Sequence, residues 1–272
     1  MCTSLAAGGD PADAVHVAAA WRALHLAAKF LDDVEDGDDI ILESQVISPP
    51  AAINLGTGFI AMANVALMRW QEASFDSEVC ALFGLEFNRT ILQMAVGQHA
   101  DIAHSSLLDL ETYRKVMAAK SGNFFQLGAW AGARCATGDE DALSQFESFG
   151  YNLGMMLQLN DDLKDFRQTG KGGDIASKHY TFPIFYALSV ASPLEQKRLR
   201  SLLERADADL DAEIEAKSLI RVLGGEVYLL AETMRYRRRA LAALDQVEMS
   251  KESHETLARY LTWLSLQPKS NG

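Results

Sequence analysis

A single all-α domain of about ten helices is the fold this sequence predicts, and three observations carry the prediction. Apolar residues recur at helical spacing along almost the whole chain, and no run alternates apolar with polar as a half-buried strand does. No low-complexity linker and no short-period repeat divides the 272 residues. With 49% of its residues hydrophobic, a chain of this length buries a substantial core. The formal charge of −12 excludes ordinary nucleic-acid binding, which rests on Lys and Arg neutralising phosphates, so an anionic substrate would need a metal bridge.

The elements follow in order. Leu5-Ala6-Ala7 before Gly8-Gly9 reads as the end of a helix with almost no helix ahead of it. Asp10-Pro11 supplies an N-cap and a first-turn proline for a helix running to about Asp36. Gly37 and a Ser48-Pro49-Pro50 breaker lead to an apolar helix at 51–71, then helices at 76–104 and 109–135. Thr137-x-x-Glu140 has the form of a capping box opening a helix that ends near Phe166. Gly170-Lys171-Gly172-Gly173-Asp174 reads as a flexible loop and lacks the spacing and preceding strand of a P-loop. Thr181-Phe182-Pro183 restarts helix, Ser192-Pro193-x-Glu195 caps the next, and 192–267 is helical and more charged. Its run of Arg235, Arg237, Arg238 and Arg239 is expected on a solvated face or an oligomer rim.

Cys2, Cys80 and Cys135 are an odd, scattered set without metal-ligand spacing, which fits reduced thiols and a cytoplasmic protein. Met1-Cys2-Thr3-Ser4 lacks the basic start and apolar run of a secretory signal. The longest apolar stretch, 55–68, is short for a bilayer and interrupted by Asn64, so no stable membrane insertion is expected.

The chemistry is carried by a pattern that occurs twice. Asp32-Asp33-Val34-Glu35-Asp36 and Asp161-Asp162-Leu163-Lys164-Asp165 each end a long apolar helix, and residues four apart share a helix face. Like charges at that spacing cost a helix roughly 0.2–0.5 kcal/mol per pair, and acids at a helix C-terminus also face the negative end of its dipole. A divalent cation is the compensation such a pattern calls for. His25, Lys29, Asp32 and Asp36 fall within about 60° on one wheel. Phe87, Ile91, Met94, Gln98 and Asp101 form a stripe that turns polar at its end, and Tyr113, Val116, Lys120, Phe124 and Leu127 form another with a single charge. Two facing acidic clusters, a lysine and apolar walls describe a cavity in which Mg²⁺ clamps a diphosphate above a greasy tail. Departure of the diphosphate there would leave an allylic cation in a dry pocket.

In these motifs the chain resembles the trans-prenyltransferases, the E-type polyprenyl diphosphate synthases, over nearly its whole length. The resemblance rests on Asp32-Asp33-x-x-Asp36 with His25 seven residues ahead, Gly97-Gln98-x-x-Asp101, Lys120-Ser121, Gln158-x-x-Asp161-Asp162-x-x-Asp165, and Asp174 with Thr181-Phe182-Pro183. It implies an all-helical Mg²⁺-dependent homodimer that condenses isopentenyl diphosphate with an allylic diphosphate. By the same resemblance, Asp32 and Asp36 would hold two Mg²⁺ ions and Asp161 a third, with Asp33, Asp162 and Asp165 as further metal-binding residues of the acidic motifs. Lys120 and Lys178 would meet the allylic diphosphate, Gln158 would lie near the reacting carbons, and Gln98 near the substrate. His179 stands where the family has a lysine, with Lys178 one place early. The places that limit product length in the family are Ala27 and Ala28 here. The resemblance implies that this small pair would admit chains beyond fifteen carbons, with Trp21, about 10 Å below Ala28, expected as part of the floor.

Two family features are missing. No Gly-Gly-Lys-Arg segment precedes the first motif, which comes only 31 residues in, and the expectation is a single domain that lacks the family's N-terminal helix. Residues 37–43 carry no base where the family has an arginine pair. A terpene synthase, a prenyltransferase with another acceptor, and a non-catalytic partner subunit are the alternatives this leaves.

Overall fold

The computed structural model describes residues 1–37, 40–42, 45–72, 77–104, 109–170 and 173–263, and these form the helical bundle the periodicity predicts. Asp38 and Asp39 of the base-free stretch, Asp76, the expected loop residues Lys171 and Gly172, and the end of the charged helical third lie outside the described residues.

Helix α1 (Cys2–Ala6) is a single turn packed on later helices, and Gly8 after it is left-handed at φ 86°. The Asp10 carboxylate accepts from Ala12 N at 2.8 Å, but it caps a 3₁₀ turn, Pro11–Ala14, ahead of α2 (Val15–Asp36). Two two-residue strands, β1 (Ile41–Leu42) and β2 (Gln45–Val46), pair antiparallel. Strands this short leave no alternating pattern to read. Helix α3 (Pro49–Glu72) begins on the two prolines, which start the helix because its first residues need no N–H donor. Helix α4 (Ser77–His104) follows. Helices α5 (Leu110–Met117) and α6 (Asn123–Arg134) run as one rod through a π-turn at Ala118–Gly122, matching the single helix predicted there.

Helix α7 (Glu140–Arg167) is the centre of the molecule, flanked by α6 and by α11 and carrying Phe146, Met156, Leu159 and Phe166 into the core. Its N-cap is Asp139, whose carboxylate accepts from Asp141 N and Ala142 N, while Thr137 only accepts from Asp139 N. The predicted capping box is thus displaced, because a carboxylate faces the positive end of the helix dipole better than a hydroxyl. The remaining helices are α8 (Phe182–Val190), α9 (Pro193–Arg205), α10 (Leu210–Val222), α11 (Gly225–Leu244) and α12 (Lys251–Trp263). The Ser192–Glu195 capping box forms as predicted. In the Arg run, Arg235 pairs with Glu232 and Arg237 donates to Thr262.

Helices α3 and α4 are more apolar than the 55–68 stretch conveys. Windows of 22 and 26 residues, Pro49–Trp70 and Ser77–Ile102, are long and apolar enough to cross a membrane by length and composition, yet only 22% of each is buried inside the molecule. Met62, Met68, Leu85, Leu92 and Val96 stand exposed on them.

The approach of α7 to the π-turn is a backbone contact. A Cβ added at Gly154 would lie 2.4 Å from the Ser121 carbonyl oxygen, so any side chain there forces the two apart. Gly154→Ala is expected to cost about 1–3 kcal/mol as overpacking, read as a lowered midpoint in denaturant unfolding with an unchanged slope.

Candidate active site

The first acidic motif sits on the last two turns of α2, and three other segments converge on it. The π-turn sets the Lys120 ammonium 3.3 Å from Asp32 Oδ1 and 2.8 Å from Asp101 Oδ2 of α4. The π-turn widens the helix at this point, a feature found frequently at functional sites. Gly97 lets α4 come close, since a Cβ there would meet Ala119 at 2.7 Å. From the segment after α7, the His179 ring reaches Asp101 Oδ2 at 3.5 Å and Asp36 Oδ1 at 3.8 Å.

The electrostatics follow from this geometry. Burial raises the Asp36 carboxyl to about 6, with Asp32 adding to the rise and His179 and Lys120 opposing it. Burial also raises Asp101, but the hydrogen bond from His179 and the charge of Lys120 outweigh it and hold the group at about 2. The Asp101 hydrogen bond lifts His179 to about 9. Burial lowers Lys120, and Asp32, Asp101 and Asp36 together more than reverse that. The cluster is therefore three carboxylates stabilised by an ammonium and an imidazolium.

The second motif divides by direction. Asp161 is exposed and paired with Lys164 at 2.8 Å, and Asp165 is half-buried beside it on the α7 face. Asp162 points the other way, into the core, at 2% exposure. It accepts from Tyr113 Oη at 3.0 Å, Phe182 N at 3.2 Å and Gln158 Nε2 at 3.1 Å. Burial raises its carboxyl to about 7. Gln158 is held between Asp162 and Ser121, whose hydroxyl donates to Gln158 Oε1 at 2.8 Å. Asp174 is buried, accepts from Thr181 Oγ1, and feels the charges of Asp162, Asp165 and His179, which links the two acidic motifs.

Several expected site residues are placed differently. The structure keeps Asp162 out of the acidic cluster, because three donors fix it in the core. Lys178 does not reach the cluster. Its backbone is left-handed at φ 60°, and its ammonium pairs with Asp207 at 2.8 Å. His179, next in sequence, takes the inward place. Asp33 pairs with Lys29 at 2.8 Å across one turn of α2. Asp101 and His179, absent from the expected ligand set, are central; Asp101 was visible as the polar end of the Phe87–Asp101 stripe and of the Gly97-Gln98-x-x-Asp101 pattern.

Below the cluster lies an aromatic group. Trp21 Nε1 donates to the Phe124 carbonyl at 2.9 Å, and its ring stacks on Phe124 at 4.5 Å and meets Phe125 edge-on at 5.5 Å. His25 stands edge-on to Trp21 at 5.9 Å and to Phe124 at 5.8 Å. Burial first, then Arg22 and Lys29, keep its imidazole neutral. Ala28 is half-buried one turn above His25, whereas Ala27 is buried in the α2–α3 seam near Gly56.

The residues fit a hard cation and an anion. Among the described residues no three Asp, Glu, His or Cys side chains close on one point as a ready-made metal site. Asp101 Oδ1 and both polar atoms of the Gln98 amide are buried without a hydrogen-bond partner, leaving capacity for a further ligand.

The family model described as polyprenyl synthetase matches residues 1–220. The chain belongs to that family. The short chain isoprenyl diphosphate synthase of Methanothermobacter thermautotrophicus is 29% identical over 269 residues, covering 94% of this chain and 78% of its own. The geranylgeranyl diphosphate synthase of Saccharolobus solfataricus is 26% identical over 273 residues, 96% of this chain and 81% of its own. The solved geranylgeranyl pyrophosphate synthetase from Pyrococcus horikoshii superposes with a TM-score of 0.85 over 98% of this chain and 84% of its own, at 22% identity. The bundle is thus the polyprenyl synthetase fold.

The raised Asp162 carboxyl has a definite sign. The folded protein binds this proton more tightly than the unfolded chain, so stability falls as pH rises from about 4, the unfolded pKa, through about 7. Asp162→Asn is expected to remove a slope of up to about 1.4 kcal/mol per pH unit in that window, measured by denaturant unfolding at stepped pH.

Proposed function

We propose that this polyprenyl synthetase family member is a Mg²⁺-dependent prenyltransferase that joins isopentenyl diphosphate to an allylic diphosphate, giving a longer E-polyprenyl diphosphate. The observation that carries the reading is the convergence of Asp32 and Asp36 from α2, Asp101 from α4, Lys120 from the π-turn and His179 on one small volume. Asp32 and Asp36 would hold two Mg²⁺ ions and Asp161, with Asp165, a third. Bound there, Mg²⁺ neutralises the diphosphate charge and makes it a leaving group.

The chain's own residues have separate tasks in this reading. Lys120, whose carboxylate neighbours hold its pKa above the usual lysine value, brings a charged ammonium to the phosphate oxygens. Gln98 offers a buried amide without other demands on it. Gln158 holds Ser121 and Asp162 in register, which fixes the α7 face beneath the reacting carbons. Phe124, Phe125 and Trp21 exclude water and present ring faces that favour a developing allylic cation. Trp21, pinned to the Phe124 carbonyl, blocks further growth of the chain.

The apolar outer faces of α3 and α4 are covered by a second copy in a cytoplasmic homodimer. Their exposure is what supports this, since contiguous apolar patches on soluble proteins mark interaction sites.

Product analysis with Mg²⁺, isopentenyl diphosphate and a set of allylic diphosphates tests the central reading. Products longer by five-carbon units are expected, and ionisation without extension would overturn it. Asp32→Asn is expected to lower kcat by roughly 100-fold or more. Trp21→Ala is expected to lengthen the products at retained activity, and an unchanged product spectrum would refute the floor.

A further inference from the structure

Helix α10, which contributes nothing to the cluster directly, carries the pair Glu213 and Lys217, at 1% and 4% exposure. Their side chains are 2.7 Å apart. A buried ion pair of this kind adds little net stability over apolar packing, so its other partners matter. All of those partners lie in one short segment. The Lys217 ammonium donates to the Gln168 carbonyl and to Thr169 Oγ1 at 3.3 Å. Both Glu213 carboxylate oxygens accept from Gly170 N, at 3.1 and 3.3 Å. Gln168 is the C-cap of α7, the helix whose last two turns carry Asp161 and Asp165. The pair therefore places a cation on the negative end of the dipole that those carboxylates crowd.

The held segment leads directly into the site. Gly173 N returns to the Gly170 carbonyl at 3.0 Å, and a Cβ at Gly173 would lie 2.4 Å from Gln168 O, so this turn closes on the residues that the pair holds. From it the chain passes to Asp174, bound to Thr181, then to Lys178 at φ 60° and to His179 in the cluster. A left-handed non-glycine residue costs on the order of 1–2 kcal/mol and persists only where its surroundings enforce it. The Asp174–Thr181 hydrogen bond brackets Lys178, and the turn anchored by α10 lies directly ahead of Asp174.

We propose that Glu213 and Lys217 are positioning residues for the diphosphate site, a buried tether that fixes the end of α7 and the return of His179 into the acidic cluster. The tether rests on the functional reading given above for its effect on ligand affinity, though not for its effect on the segment itself. Groups that hydrogen-bond directly to metal ligands are worth about 10- to 100-fold in affinity, and a tether one step further out is expected at the low end of that range.

The test replaces both charges at once, Glu213→Leu with Lys217→Leu, an exchange that buried ion pairs tolerate. Titration calorimetry with Mg²⁺ and inorganic diphosphate is expected to show at least a ~10-fold loss of affinity. The KM for the allylic diphosphate rises by a similar factor while kcat changes much less. Hydrogen exchange accelerates at 168–170 and 173–181, and not in α6 or α9. Glu215→Ala, which breaks the exposed Arg198–Glu215 pair on the same helix, leaves all of these unchanged. If the double variant fails to fold, Glu213→Gln is read by the same criteria. Unchanged diphosphate affinity in a folded variant, or exchange that rises evenly over the whole chain, overturns the tether. A wild-type protein that binds no Mg²⁺–diphosphate overturns the functional reading instead, and the exchange contrast then decides the tether by itself.

Discussion

Carboxylates from α2 and α4 are brought into one small volume, and the ammonium of Lys120 is what allows it. Without a bound cation, Asp32, Asp36 and Asp101 repel one another, and burial penalises Asp36 and Asp101 further. Lys120 at 2.8 and 3.3 Å, with His179 on the other side, supplies the missing positive charge. In the proposed reading, the same two groups would be in place to meet an anion if metal ions took over the carboxylates. An acidic protein of net charge −12 would in this way bind a highly charged anion.

Backbone contacts position that ammonium. The π-turn at Ala118–Gly122 lies between α4 at Gly97 and α7 at Gly154, and each glycine removes the one atom that would hold the helices apart. Gln158 then reaches Ser121 in the same turn and Asp162 on its own helix, so the catalytic face of α7 and the lysine turn form one hydrogen-bonded unit. Asp162 extends the unit to Tyr113 in α5 and to the first residue of α8. A carboxyl that looks from its motif like a metal ligand is in effect the internal brace of the site.

The helical architecture was legible because helical periodicity is a local property. The long helices, the Ser192 cap and the acid spacing at Asp32 and Asp36 all follow from residues within a turn or two of one another. What the sequence did not reveal depends on partners far along the chain. Asp162 points away from Asp161 and Asp165 because Tyr113, 49 residues away, and Phe182, 20 residues away, claim it. His179 reaches the cluster where Lys178 was expected because a single left-handed residue turns the lysine outward, and no local pattern announces a positive φ at a lysine. The Asp139 cap displaced Thr137 for a simpler reason, a choice between two adjacent capping residues that the helix dipole decides.

The cluster's role is tested most directly by thermal unfolding with Mg²⁺ alone, inorganic diphosphate alone, and both together. A ligand that binds only the folded state raises the melting temperature by mass action. Because the carboxylates repel a bare diphosphate and need a metal to bridge to it, a large rise is expected only with both present. A rise as large with diphosphate alone would mean that Lys120 and His179 bind the anion without metal, and would contradict the metal-bridged site.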